Sequence, residues 1–131
     1  MSTIWTNTYE GQYFEDKKHG QGIFEWESGN VYNGAYFDDE RQGYGVMTWT
    51  DGSTYMGTWD QGIQQGIGLM VFADGSKRGG IFEQNLFIRS IKSTEDIDPF
   101  RDILSEECIE ELTKIAEEYQ QKLQEKKELI R

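Results

Sequence analysis

Over the first ninety residues, apolar and polar positions alternate in short runs. In the run 31–37, Tyr32, Gly34 and Tyr36 fall on one side of an extended chain, and Val31, Asn33 and Ala35 on the other. A polar connection follows, Asp38-Asp39-Glu40-Arg41-Gln42-Gly43. A second run then puts Gly45, Met47 and Trp49 on one side and Tyr44, Val46 and Thr48 on the other. Asp51-Gly52 turns the chain again, a hairpin-type signal. Period two, aromatic enrichment and two glycines per run predict strands, not helix. After a linker at 91–98 the period changes. Phe100, Leu104, Cys108, Leu112, Ile115, Tyr119 and Leu123 recur every three or four residues, which predicts an amphipathic helix over 99–131. Asp98-Pro99 reads as an N-cap followed by proline at the first helical position. Ser105 before Glu106-Glu107 is a second candidate cap, with Leu104 and Ile109 placed as a staple, so a short helix breaking into a longer one is allowed. Acidic residues crowd its early turns, and Lys122, Lys126, Lys127 and Arg131 its end, as the helix dipole favours.

The two-run unit is copied. Tyr9-Glu10-Gly11-Gln12-Tyr13 returns as Tyr32-Asn33-Gly34-Ala35-Tyr36 and as Tyr55-Met56-Gly57-Thr58-Trp59, each time 23 residues on. His19-Gly20-Gln21-Gly22, Gln42-Gly43-Tyr44-Gly45 and Gln65-Gly66-Ile67-Gly68 keep the same step. So do Trp26, Trp49 and Phe72, and the turn glycines Gly29, Gly52 and Gly75. A fixed period of this kind means one supersecondary unit in tandem. The units fall at about 9–31, 32–54 and 55–77, with a partial copy at 78–88, giving an array over 1–90. Gly11, Gly34 and Gly57 each lie between two aromatics on one strand face, where a β-carbon would push the rings apart. Stacking the units aligns Tyr9, Tyr32 and Tyr55 in one row and Trp26, Trp49 and Phe72 in another.

The Tyr-x-Gly-x-aromatic phrase, the His/Gln-Gly-x-Gly phrase and the Asp-Gly turn resemble the MORN repeat (membrane occupation and recognition nexus) over about residues 7–87. The resemblance implies a single-layer, twisted antiparallel sheet of about seven short strands. It implies one hairpin per repeat and an aromatic groove along the array. The overall class is then mostly β with a C-terminal α-helix. The fourth copy departs from the pattern: Arg78 replaces the tyrosine, only Gly80 and Phe82 remain, and the next run reads Leu86-Phe87-Ile88. It is expected to be a half-repeat that ends the array.

Composition narrows the partners. A formal net charge of −11 argues against nucleic acid and against anionic membrane lipids, since both reward basic patches. Lys17-Lys18 and Lys77-Arg78 are the only basic pairs in the array. The opening Met1-Ser2-Thr3-Ile4-Trp5-Thr6 lacks the basic-then-apolar pattern of a signal peptide, and no stretch approaches the roughly 20 apolar residues of a membrane span. The single cysteine, Cys108, fits a reducing compartment and, lying on the apolar stripe, reads as a packed thiol. His19 occupies the place of Gln42 and Gln65 and reads as structural. Asp38-Asp39-Glu40 lacks the spaced oxygens of a calcium loop and reads as a solvated turn. Lys77-Arg78-Gly79-Gly80 lacks a phosphate-loop pattern. No catalytic constellation, metal site or cofactor site is expected.

The expected working surface is the aromatic groove: Tyr9, Tyr13, Phe24, Trp26, Tyr32, Tyr36, Met47, Trp49, Tyr55, Trp59, Met70, Phe72 and Phe82. The helix stripe is its complement in character. The two are left free to meet within one chain, between two copies as a homodimer, or each with other proteins. The resemblance implies a non-enzymatic structural or adaptor protein that binds a helix or extended segment in a larger assembly. The expected location is cytoplasmic and cytoskeleton-associated, with the axoneme of a cilium or flagellum as one setting. The alternatives are a phospholipid-targeting module and a regulatory module acting in trans on an enzyme.

Overall fold

The structure, a computed structural model, describes residues 6–130. Eight strands form one antiparallel sheet in chain order: β1 (Thr8–Phe14), β2 (Lys17–Glu25), β3 (Val31–Phe37), β4 (Glu40–Thr48), β5 (Thr54–Asp60), β6 (Ile63–Val71), β7 (Lys77–Glu83) and β8 (Leu86–Ser90). One long helix follows, α1 (Glu106–Ile130). The sheet has eight strands rather than about seven because the fourth copy closes into a complete hairpin. Its second strand is short, five residues. Register places like on like: Gly11 pairs Gly22, Gly34 pairs Gly45, and Gly57 pairs Gly68 within hairpins. Gly22–Gly34, Gly45–Gly57 and Gly68–Gly80 pair between them.

The tight turns lie elsewhere than the sequence suggests. Strand β4 begins at Glu40, so the connection expected over 38–43 shrinks to Asp38-Asp39, with φ of 51° and 70°. Glu15-Asp16, Gln61-Gly62 and Gln84-Asn85 repeat this left-handed pair, the primed hairpin turn that suits Asp, Asn and Gly. Asp51-Gly52 belongs to a longer loop. There the Gly52 N–H closes back on the Trp49 carbonyl at 3.0 Å. Gly20, Gly43 and Gly66, at positive φ, supply the bulge that shifts register in each of the first three hairpins.

The two faces of the sheet are buried by different means. On the front face lie the aromatic rows. On the rear face, Ile67 and Leu69 pack with Ile91, Ile97, Leu104, Cys108, Leu112 and Ala116 in one buried cluster. The helix stripe therefore does not lie in the aromatic groove; it covers the opposite face. The Tyr44 hydroxyl meets Ser105 Oγ at 2.9 Å, and the Cys108 thiol donates to the Met56 carbonyl at 3.7 Å. Lys77 pairs with Glu111 at 2.7 Å. Gly79 makes room for the helix: a β-carbon there would lie 2.7 Å from Leu112 and 3.1 Å from Ile115.

The helix begins at Glu106, not 99. Proline occupies a 3-10 turn, Asp98–Phe100, and Ser105 is the true cap, accepting the Cys108 N–H at 3.1 Å. The segment expected as a linker is packed. Ile91 and Ile97 are fully buried, and Arg89 holds the Asp96 carboxyl down to about 2 through paired hydrogen bonds across that segment. Past Ala116 the helix leaves the sheet: Tyr119 is 37% exposed and Leu129 86%. Among the described residues, no helix is long and apolar enough to cross a membrane.

Candidate functional site

The front face is built from rings laid over glycine. Tyr32 lies across Gly45, Tyr9 across Gly22 and Tyr55 across Gly68; a methyl group on any of these glycines would overlap the ring. Each tyrosine is pinned at its far end. Tyr9 donates to the Gln12 carbonyl and Tyr32 to the Ala35 carbonyl, both at 2.7 Å, and Tyr55 to the Thr58 carbonyl at 3.0 Å. These carbonyls sit at the register shifts, where the bulge withdraws a ladder partner, so the hydroxyl completes the backbone bonding.

Between the pinned tyrosines stand the rings at positions 13, 36, 59 and 82. Each crosses its neighbours edge to face. The series runs Tyr13–Tyr9 (5.0 Å between centroids), Tyr9–Tyr36 (5.5 Å), Tyr36–Tyr32 (5.2 Å), Tyr32–Trp59 (5.5 Å), Trp59–Tyr55 (5.3 Å), Tyr55–Phe82 (5.1 Å) and Phe82–Phe87 (5.5 Å). Edge-to-face pairs add about 0.5–1.5 kcal/mol each beyond burial. This zipper buries its own members. Tyr32 and Tyr55 have no exposed surface, although among the described residues no helix or strand is laid over them. Phe87 stands where Lys18, Arg41 and Gln64 stand in the other copies, and it closes the zipper with a ring. At the other end Tyr13 has no further ring beside it among the described residues and is 61% exposed.

Burial raises the tyrosine phenols. Tyr36 is pushed up to about 12, and Tyr32 and Tyr55 are raised for the same reason. The neutral phenol is thus the folded form, while an unfolded chain releases these protons near 10. Stability from this source is complete below about pH 10 and drains away as pH rises towards 12. Alkaline titration is expected to show tyrosinate absorbance appearing together with collapse of the near-ultraviolet circular dichroism. Full tyrosinate formation near pH 10 with the dichroism intact contradicts the zipper.

The remaining groove residues form an outer strip. Phe24 and Trp26 contact each other at 4.6 Å; Met47 is buried; Trp49 and Met70 are half-buried; Phe72 is 39% exposed. Trp49, Met70 and Phe72 line an open cleft of about 830 Å³, rimmed by Asn30, Asp51 and Asp74. Its location has a local cause. Asn7 and Asn30 each accept a backbone N–H from the following turn, of Glu27 and of Thr50. At the third junction Ser53 replaces the asparagine and bonds its own Asp51 at 2.6 Å instead, so the two turns are not tied by that bridge. Three cations complete the face. Lys18 lies over Tyr9, Phe24 and Tyr36; Arg41 over Trp26, Tyr32 and Trp59; Arg78 over Phe72 and Phe87, all within 5.8 Å of the centroids.

The candidate residues therefore separate. All thirteen groove residues share the front face. Of the stripe, Leu104, Cys108 and Leu112 are buried on the rear face, Phe100 and Ile115 pack beside them, and Tyr119, exposed, and Leu123, half-buried, lie outside that cluster. The sequence reading missed Arg41 and Lys18 on the front face and Met56, Ile67, Leu69 and Gly79 on the rear. The 23-residue period aligns Lys18 with Arg41, and that was the signal for the cations. His19 sits on the rear side between Phe14 and Phe37, whose rings are 59–61% exposed.

No curated protein matches the chain. The family model described as MORN repeat matches residues 9–31, 32–54 and 55–77, together more than half of the chain. Those three segments are the three hairpins whose tyrosines, paired glycines and bulges build the front face. The chain belongs to the MORN-repeat family.

Proposed function

We propose that this chain is a non-enzymatic adaptor whose front face receives a segment of another protein within a cytoskeletal or axonemal assembly. The repeat is generally a non-catalytic module, one that serves contacts with proteins or membranes. One observation carries the reading. The element suited to covering an aromatic sheet, α1, is engaged on the rear face, and among the described residues no helix or strand covers the strip of Trp49, Met70 and Phe72. Large aromatics in an open cleft are the side chains that dominate binding when a partner desolvates them. The zipper beneath gives that strip a rigid floor, which lowers the ordering cost of association. The assembly is inferred from the family resemblance; the net charge of −11 weighs against an anionic bilayer.

The test places a photo-crosslinking amino acid at Phe72 of the full chain in cells, with Ile103 on an exposed part of the rear side as control. The expected adducts at 72 are peptides of filament or axonemal proteins, absent from the control. Adducts confined to lipid, or to a single enzyme, contradict the proposal.

A further inference from the structure

The charges of the chain are sorted between its two faces. Asp and Glu number 24 against 13 Lys and Arg, yet no strand position that points to the front face is acidic. Glu10, Glu25, Glu40, Asp60 and Glu83 occupy rear-facing strand positions, and the other acids of the array gather in the turns. The front face holds Lys18, Arg41 and Arg78. Of the four described arginines, Arg89 and Arg101 each grip a carboxylate, Asp96 and Asp98. Among the described residues neither Arg41 nor Arg78 has a carboxylate within ion-pair reach. In a chain with almost two acids per base, the described arginines without an acid are the two laid on rings. Arg41 gives one nitrogen to the Gly62 carbonyl at 2.6 Å, while its Nε–H is buried with no protein partner.

We propose that the segment received by this face is acidic, an extended stretch in which Asp or Glu alternates with apolar side chains. The inference rests on the docking reading above and names the partner's chemistry. A guanidinium held flat on a ring keeps its edge for a carboxylate, and the pair gains strength where rings exclude water. The turns decide between a segment and a surface. Glu15, Asp16, Asp38 and Asp39 stand in the turns along one rim of the sheet, the last two paired with Lys17 and Lys18, and Glu27, Asp51 and Asp74 stand along the other. A flat anionic membrane must approach both acidic rims to reach the arginines. A narrow chain lies between them.

Selection of displayed random peptides on the full chain is the test. Enriched sequences are expected to carry Asp and Glu in excess of Lys and Arg, beside aromatic or branched residues. Their affinity is expected to fall with added salt and to drop about tenfold in Arg78→Gln, the loss of one charge-assisted bond. Arg41→Gln is expected to act likewise, with Arg89→Gln at wild-type affinity. Arg78 is exposed, so its variant keeps the test valid if Arg41→Gln unfolds. Enrichment of neutral or basic peptides, or indifference to Arg78→Gln, overturns the acidic partner and leaves the docking surface standing. Failure to enrich any peptide that Phe72→Ala weakens overturns the docking surface itself. Binding to phosphatidylserine vesicles that Arg78→Gln abolishes assigns the arginines to a membrane and also overturns the proposal.

Discussion

Leu112→Asp is expected to lift α1 from the rear face and leave the front face standing. Leu112 is fully buried, and its side chain lies against Gly79 of β7, where a β-carbon would crowd it. Truncating such a leucine costs about 2–5 kcal/mol, and a carboxylate left in that position adds the cost of burying a charge. A sum of about 4 kcal/mol or more exceeds what the polar contacts Tyr44–Ser105 and Lys77–Glu111 return. Cys108 reports the outcome. Burial pushes its thiol up to about 12, so the native protein is expected to react slowly with a thiol reagent at neutral pH. In Leu112→Asp the thiol is expected to react as an exposed one, while the near-ultraviolet dichroism of the zipper persists. A thiol that stays protected contradicts rear-face docking. Loss of the ring signal along with thiol protection means instead that helix and sheet unfold as one unit.

That expectation depends on which face the helix covers, and the aromatic pattern points the wrong way. Rings attract attention as surface in need of a lid. Here each ring lies over a glycine and crosses its neighbours, so Tyr32 and Tyr55 reach full burial inside one layer. The rear face is where a lid is needed, and its signal runs across the repeats instead of within one. The position occupied by Glu10 becomes Asn33, then Met56, then Gly79. The position of Gln12 becomes Ala35, Thr58 and Ile81, and that of Gln21 becomes Tyr44 and Ile67. The rear face grows apolar towards the C-terminus, and α1 rests where it is most apolar. The repeat, the strand faces and the glycine register were all legible because each depends on local sterics repeated three times. The eighth strand was not, because Phe87 closes the zipper from a position that is cationic or polar in every other copy. The helix start was ambiguous because Pro99 and Ser105 both carry cap chemistry. Tertiary packing of Ile91, Ile97 and Leu104 chose between them.

Gly45→Ala is expected to reverse the usual sign of such a change. In a strand the substitution ordinarily stabilises by about 0.4–1 kcal/mol, through the entropy of the unfolded chain. At position 45 the new methyl would overlap the hydroxyl end of the Tyr32 ring. The ring has no room to yield. Its hydroxyl is fixed to the Ala35 carbonyl at 2.7 Å, and Tyr36, Trp59 and Arg41 stand around it. Trp59 is held in turn by its own N–H, which donates to the Gly45 carbonyl at 3.1 Å, so the substituted residue also anchors the ring's neighbour. Overpacking at a site this constrained is expected to cost about 3 kcal/mol. Because the zipper is continuous, the disturbance reaches the second and third repeats together. A double-mutant cycle isolates the cause. Tyr32→Ala alone is expected to cost about 3–5 kcal/mol as a lost core aromatic, and adding Gly45→Ala to it is expected to cost almost nothing further. Chemical denaturation measures all three. If the two changes simply add, the ring does not rest on the glycine, and the repeated pairing of tyrosine with glycine loses its physical reason.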